Sequence, residues 1–264
     1  MFEGDLAVLS NKPVNSEYVQ LTLAASAELL DRCHAGQFFH LLCPSNGADK
    51  PYLRRPMSIY SFLPESGELQ FLYKVTGTGT RALFQLAPGD RLNVLGPLGI
   101  GFRIEEDWQH LILVARGVGL ATLAPLALEA RNSGKRLTAI CSARTPDLLM
   151  SIDYIREMGA EVVTVTDSER TSGMQHLETV IEGLVAAPGV DAFYTCGSNR
   201  MLTLLQTLGR RHGIPGQIAL EQQMACGLGM CHCCVRPFMR AGERVQLRVC
   251  REGPVFDVQE AMPW

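Results

Sequence analysis

In the first hundred residues the chain alternates apolar and polar positions in short runs. Tyr18-Val19-Gln20-Leu21-Thr22-Leu23 alternates, and residues 37–42 and 69–75 repeat the pattern. Turn formers separate the runs: Gly36, Pro44, Gly47, Pro51, Pro64, Gly67, Pro88 and Gly89. Strands of this length at this spacing predict a small antiparallel barrel. One helical piece, residues 80–86, interrupts it. From Gln109 the period changes. Buried strands over 110–115, 137–141, 161–166 and 192–196 alternate with helices running to Asn132 and over 145–158, 177–187 and 199–212. That alternation predicts a parallel, doubly wound α/β sheet with its ligands beyond the carboxyl ends of the strands. After Gly213 and Gly216, a strand over 217–220 leads into a cysteine-rich stretch, and residues 244–249 read as a strand delivering Cys250. Three domains are expected: 1–104, 105–214 and 215–264.

Composition narrows the class. The chain has 264 residues, 47% of them apolar, and a net charge of −3, so it has material for a sizeable core. It has no basic block, which argues against nucleic acid as a partner. Glu3 and Asp5 stand where a secretion signal carries Lys or Arg. Runs such as Leu111-Ile112-Leu113-Val114-Ala115 are too short to span a bilayer, so no membrane span is expected. The expected location is the cytoplasm, which keeps thiols reduced.

The cysteines change the picture most. Five of the nine fall between residues 221 and 250. Cys226, Cys231, Cys234 and Cys250 spell C-x4-C-x2-C…C, the plant-type spacing for a [2Fe–2S] cluster. Gly227 and Gly229 let a tight loop turn its N–H groups toward cluster sulfurs, where a Cβ would crowd them. Four thiolates suit zinc as well, although the glycine-rich four-residue loop suits a cluster better. Cys233 is surplus, and only the x2 spacing selects Cys234 over it. Cys33, Cys43 and Cys141 read as small core or loop residues.

Two motifs in the first half point to a flavin nucleotide. Arg54-Arg55-Pro56-Met57-Ser58 offers a guanidinium for a diphosphate, a stiff turn and a hydroxyl. Thr76-Gly77-Thr78-Gly79-Thr80 leads glycines and hydroxyls into a helix start, where phosphate binds well. Either motif alone is also a plain surface turn or helix cap. In the second half, Gly117 and Gly119 follow the first α/β strand, with Pro125 in the helix, but Arg116 stands at a position where a glycine would fit a nucleotide. Arg116 either crowds that nucleotide or pairs with its phosphates. Asp167 ends the third strand. It is either a turn residue or an acid that bonds an adenosine ribose and repels a 2′-phosphate, which favours NAD over NADP. Cys196-Gly197 closes the fourth strand, where Cys196 is either a small core residue or a nicotinamide contact.

Taken in order, these motifs resemble the ferredoxin–NADP reductase superfamily. The resemblance implies that Arg55, Pro56, Met57 and Ser58, as R-P-x-S, hold the diphosphate of FAD and flank its ring. It further implies flavin contacts from Leu72, Tyr73, Lys74, Gly79 and Thr80. Leu95-Gly96-Pro97-Leu98-Gly99 resembles the G-P-x-G turn that closes the flavin barrel. Residues 116–119 resemble the family's G-G-x-G turn, with Arg116 as the departure and Pro125 in the helix that follows, and Cys196-Gly197 with Met201 resembles C-G-x-x-x-M against the nicotinamide. With E-x-x-M-x-C-G-x-G-x-C-x-x-C and V-C-x-x-G-P-V-F added, nearly the whole chain is similar to the electron-transfer subunits of the NAD-linked dihydroorotate dehydrogenase. The resemblance implies FAD, a [2Fe–2S] cluster, NAD(H) and a partner subunit bearing FMN or another redox centre, in pyrimidine biosynthesis. The same build could serve another partner enzyme. A rival of a different class is a non-catalytic assembly module with a zinc-binding tail.

Overall fold

A computed structural model of the chain describes residues 1–45, 50–186 and 189–264. The expected turn residue Gly47, and Ala187 at the end of the helix expected over 177–187, lie outside the described residues.

Strands β1 (Phe2–Pro13), β2 (Tyr18–Ala24), β3 (Phe38–Leu41), β4 (Arg55–Ser58), β5 (Ser61–Leu63), β6 (Glu68–Lys74) and β7 (Arg91–Leu98) form one antiparallel sheet, ordered β4-β3-β7-β1-β2-β6-β5. Helix α1 (Ala27–Leu30) lies between β2 and β3, and α2 (Thr78–Phe84) between β6 and β7. The edge strands β4 and β5 are consecutive in sequence. Between them, Ile59 N–H donates to Gln37 O (3.0 Å) and Tyr60 N–H to Gln70 O (2.8 Å), so the sheet rolls into a barrel. Alternate positions fill it: Leu21, Leu23, Phe39, Leu41, Leu69 and Phe71 are all fully buried. Helix α2 starts before residue 80 because the Thr80 hydroxyl accepts from the N–H groups of Thr76 (2.9 Å) and Gly77 (3.1 Å), which stops the chain at Gly77.

The second half is built of β8 (His110–Arg116), α3 (Gly119–Asn132), β9 (Arg136–Ala143), α4 (Ile152–Glu157), β10 (Glu161–Thr166), α5 (Met174–Ala186), β11 (Ala192–Cys196), α6 (Asn199–His212) and β12 (Gly216–Ala219). The helix expected over 145–158 is broken. A 3-10 turn occupies Pro146–Leu148, and Ser151 takes φ 64° before α4 begins. Met150 and Ile155 are both buried in one core. Five positions apart on one helix they would point about 140° away from each other, so the chain must reverse between them.

The last segment adds β13 (Val235–Arg240), β14 (Glu243–Arg248), the short helix α7 (Val249–Glu252) and β15 (Val255–Asp257). Cys250 is therefore carried by a helical turn, not by the strand expected over 244–249. Glu252 organises that turn by accepting from Arg248 N–H (2.7 Å). The large sheet runs β10-β9-β8-β11-β12-β15, parallel except for β15. The expected boundary at residue 215 consequently runs through a sheet, since β12 and β15 both belong to it. The cluster segment does not stand alone on its ligands: Phe238 of β13 stacks on Phe256 of β15 (centroids 4.3 Å apart), and both are buried in the sheet's core. Tyr18, Tyr60, Leu72 and Phe102 of the barrel share a second core with β8, β9 and α3, which fixes one half against the other.

Candidate functional site

The barrel and the α/β half face each other across a cavity of about 390 Å³. Pro56, Met57 and Ser58 of β4, Leu72, Tyr73 and Lys74 of β6, and Thr80 of α2 line it from the barrel side. Val118, which caps α3, and Ala121 and Thr122 of α3 line it from the other. The Tyr73 hydroxyl turns into the barrel and donates to Asn11 Oδ1 (3.0 Å), and Lys74 pairs with Glu17 (2.7 Å). Arg55 lies beside the cavity with its guanidinium over Gly79, where a Cβ would sit 2.7 Å from Nε. With no Cβ, Gly79 leaves room for the Arg55 side chain to lie against the T-G-T loop. Arg54 is engaged elsewhere, with Glu3 (2.9 Å) and Asn93 (2.5 Å). The apolar cavity with a guanidinium and glycine-rich backbone at one end fits a flavin ring and its diphosphate.

In the C-terminal segment the N–H of Leu228 donates to Cys226 Sγ (3.4 Å) and that of Cys250 to Cys234 Sγ (3.4 Å). Burial opposes ionisation of Cys226, yet hydrogen bonds from the backbone of Leu228, Cys231 and Met230 and from the Cys231 side chain bring its thiol down to about 6. Burial and the neighbouring Cys234 push Cys250 up to about 12. The sulfurs come as two pairs, Cys226 with Cys231 and Cys234 with Cys250, and Cys226 is close enough to Cys250 to be felt by it. Two pairs fit a two-iron cluster with two thiolates on each iron. Cys234 is buried while Cys233 is exposed and lines a surface groove beside Arg54 and Arg55.

Beyond the carboxyl ends of β8, β10 and β11 lies a cleft of about 520 Å³, lined by Arg116, Gly119, Ser142, Asp167 and the loop from Gly197 to Met201. This is the switch point of the sheet, where β8 has β9 on one side and β11 on the other. Gly119 must lack a side chain, since a Cβ would meet Cys196 O at 2.8 Å. Cys196 itself is buried behind it, outside the cleft, and burial pushes its thiol far up. Gly117 faces a neighbouring cleft, with Tyr18, Lys74 and Arg144. Arg116 is engaged with the protein itself. Its fork grips Asp167 (Nη1–Oδ1 3.0 Å, Nη2–Oδ2 2.5 Å) and also donates to Ser142 Oγ (3.1 Å). Hydrogen bonds from Arg116 and Ser172 hold the Asp167 carboxyl down at about 2. The cation and the acid expected at opposite ends of a nucleotide are thus one ion pair.

Two residues given no role from the sequence join these sites. Thr122 Oγ1 donates to Ser58 Oγ (3.0 Å), so it ties β4 of the barrel to α3. Glu221 lines the cavity between the halves, the cleft at the switch point and the groove with Cys233. Its side chain reaches the solvent of these clefts but is hemmed in by protein, which pushes its carboxyl above the ordinary value. It faces Gly197, whose missing Cβ would lie 3.8 Å from Glu221 Cδ. The signal in the sequence was an acid just past the carboxyl end of an apolar strand; Thr122 left none.

The profile of the iron–sulfur cluster binding domain of dihydroorotate dehydrogenase B matches residues 221–261. The electron-transfer subunit of dihydroorotate dehydrogenase B (NAD(+)) from Caldanaerobacter subterraneus subsp. tengcongensis is 34% identical over 97% of this chain and 96% of its own. Its counterpart from Desulforamulus reducens is 33% identical over 84% of each. Among solved structures, an NADH-dependent reduced ferredoxin–NADP oxidoreductase, described for flavin-based electron bifurcation, superposes with a TM-score of 0.80 at 26% identity, covering 98% of this chain and 90% of its own. The ferredoxin–NADP+ reductase of Plasmodium falciparum, 12% identical with a TM-score of 0.61 over 82% of this chain and 95% of its own, shares the fold.

Proposed function

Given that the chain belongs to the family of electron-transfer subunits of dihydroorotate dehydrogenase B, we propose that it relays electrons between NAD(H) and the redox centre of a catalytic partner subunit. One observation carries this reading. Residues 220–222 and 224 line the flavin cavity, Glu221 among them also lines the nicotinamide cleft, and the same segment runs directly into Cys226. One short stretch of backbone therefore adjoins all three cofactor sites.

When bound, FAD supplies hydride exchange with the nicotinamide and single-electron exchange with the cluster. The chain's own residues bind and orient. Arg55 and the Gly79–Thr80 turn hold the diphosphate. Pro56, Met57, Ser58 and the backbone of Leu72, Tyr73 and Lys74 wall the ring. Thr122 holds Ser58 toward the cavity. Gly117, Gly119, Gly197 and Asp167 shape the nicotinamide side, with Cys196 packed behind the loop as support. Cys226, Cys231, Cys234 and Cys250 hold the cluster, with Cys233 outside the set. Glu221 stands at the junction of the two clefts, its carboxyl raised by the surrounding protein. In these terms residues 1–104 serve FAD, 105–214 serve NAD and 215–264 serve the cluster, the last two segments sharing a sheet.

We read the partner as an FMN-bearing subunit that oxidises dihydroorotate to orotate in pyrimidine biosynthesis, and the location as the cytoplasm. No helix among the described residues is long and apolar enough to cross a membrane. A second reading, a reductase of the same build serving another enzyme, draws on the likeness to the NADH-dependent ferredoxin–NADP oxidoreductase. Purification of the native complex separates them. A co-purifying flavoprotein with orotate-forming, NAD-dependent activity supports the first, and a different redox partner supports the second. A colourless, zinc-containing preparation would overturn both.

A further inference from the structure

Strand β3 presents two different faces. Phe39 and Leu41 point into the barrel core, whereas Phe38 packs in the other core with Cys234, Cys250 and Phe256. His40 shares the face of Phe38, since positions two apart on a strand point the same way. The two rings touch, with centroids 5.8 Å apart. Phe38 lines the flavin cavity. His40 is fully buried, and among the described residues neither Nδ1 nor Nε2 has a hydrogen-bond partner. That is an unusual state for a buried imidazole, which in every protonation state carries at least one N–H to donate.

The ring is aimed at the cluster loop. A Cβ on Gly227 would lie 2.5 Å from His40 Nε2, closer than to any other atom of the ring. Gly227 also takes φ +69° and directly follows Cys226. Leu228 N–H, in the same loop, already donates to the Cys226 sulfur, so the loop turns donors toward that point. What the buried imidazole lacks is an acceptor, and sulfur is the acceptor that a bound cluster brings.

We propose that His40 is a positioning residue of the cluster site: its imidazole N–H donates to a sulfur on the Cys226 side of the bound [2Fe–2S] cluster and raises the cluster's reduction potential. The inference rests on the reading of Cys226, Cys231, Cys234 and Cys250 as the ligands. Reduction adds negative charge to the sulfurs, and a hydrogen bond to them stabilises the reduced form more than the oxidised one. Through Phe38 and His40, one strand of the flavin barrel then both walls the flavin and sets how readily the cluster accepts its electron.

The test compares the FAD- and cluster-loaded chain with His40→Leu, which removes the donor, and His40→Gln, which keeps one. The cluster potential is read by a mediated redox titration followed by EPR, with iron and FAD content measured alongside. The expected result is unchanged FAD and iron, a flavin–cluster equilibrium about tenfold poorer for the cluster in His40→Leu (about 59 mV for one electron), and partial recovery in His40→Gln. A loaded His40→Leu protein with the wild-type potential overturns the inference. Should His40→Leu fail to load, ¹⁵N-histidine labelling of the reduced wild-type and His232→Ala proteins decides. A histidine-nitrogen hyperfine coupling that persists in His232→Ala supports the inference, and its absence overturns it. A wild-type protein with no iron–sulfur signal would instead overturn the reading of the cysteines.

Discussion

The cluster loop and the nicotinamide cleft lie at either end of one short segment, residues 220–226, and are built in opposite ways. The cluster loop is made by backbone: Gly227 and Gly229 at positive φ, N–H groups turned toward Cys226, and close contacts that leave no room for a Cβ. The nicotinamide cleft is made by side chains reaching across strand ends, Arg116 from β8 to Asp167 beyond β10, with both partly exposed to solvent. A backbone-built site tolerates almost no substitution and leaves a spacing rule in the sequence. A side-chain-built site tolerates change, and its sequence trace is ambiguous because the partner of each residue is far along the chain.

If that contrast holds, the cluster end should fail outright when altered. Replacing Cys226, Cys231, Cys234 or Cys250 by Ser is expected to abolish the cluster, read as loss of iron and of the reduced EPR signal, with FAD retained. Cys233→Ser should keep both. Loss of the cluster in Cys233→Ser with retention in Cys234→Ser would reverse the assignment. The flavin end comes next. Arg55→Ala is expected to weaken FAD by about 2 kcal/mol, the low end for truncating a charged contact because Arg55 is only half-buried. Flavin released on dilution measures it, and stoichiometric retention would place the flavin elsewhere. Gly227→Ala should cost about 1–2 kcal/mol from its left-handed backbone alone, before the collision with His40 is counted. Thermal unfolding of the loaded protein and its iron content report the loss.

The nicotinamide end should respond in smaller steps. An exposed ion pair is worth about 0–1 kcal/mol to stability, so neither Arg116→Gly nor Asp167→Ala should move the melting temperature much. Selectivity is where they act. Asp167→Ala releases the guanidinium to meet a 2′-phosphate and should raise flavin bleaching by NADPH relative to NADH. Arg116→Gly leaves the acid bare and should sharpen the preference for NADH. Stopped-flow bleaching rates with each cofactor give the ratio, and an identical ratio in all three proteins would remove the pair from selectivity. The smallest effect concerns pH. The Asp167 carboxyl is depressed from 3.8 to about 2, so its contribution is present above the ordinary value and is lost only as pH falls through about 2. The ratio set by the pair should therefore be flat from neutral to mildly alkaline pH.

Legibility followed the same division. The barrel, the doubly wound half and the cluster spacing were readable because each rests on local periodicity or on short-range spacing. The break at Ser151 was not, because burying Met150 and Ile155 together is a tertiary demand. Nor was the docking of the cluster segment through β15, a three-residue strand too short to show a period. Arg116 was conspicuous as a departure, but its partner lies 51 residues away, and the sequence offered phosphate as the obvious alternative. Thr122 and His40 act through residues distant in sequence, Ser58 and Gly227, and each looks locally like an ordinary helix or strand residue.

The central claim is that nicotinamide, flavin and cluster are joined in series through residues 220–226. Anaerobic rapid mixing of the loaded chain with NADH, following flavin absorbance and freeze-quenched EPR of the cluster, tests it most directly. The account predicts that flavin bleaches first and the cluster signal follows, that Cys250→Ser bleaches without any cluster signal, and that flavin-depleted Arg55→Ala gives neither. Cluster reduction by NADH in the flavin-depleted protein at the wild-type rate would contradict it.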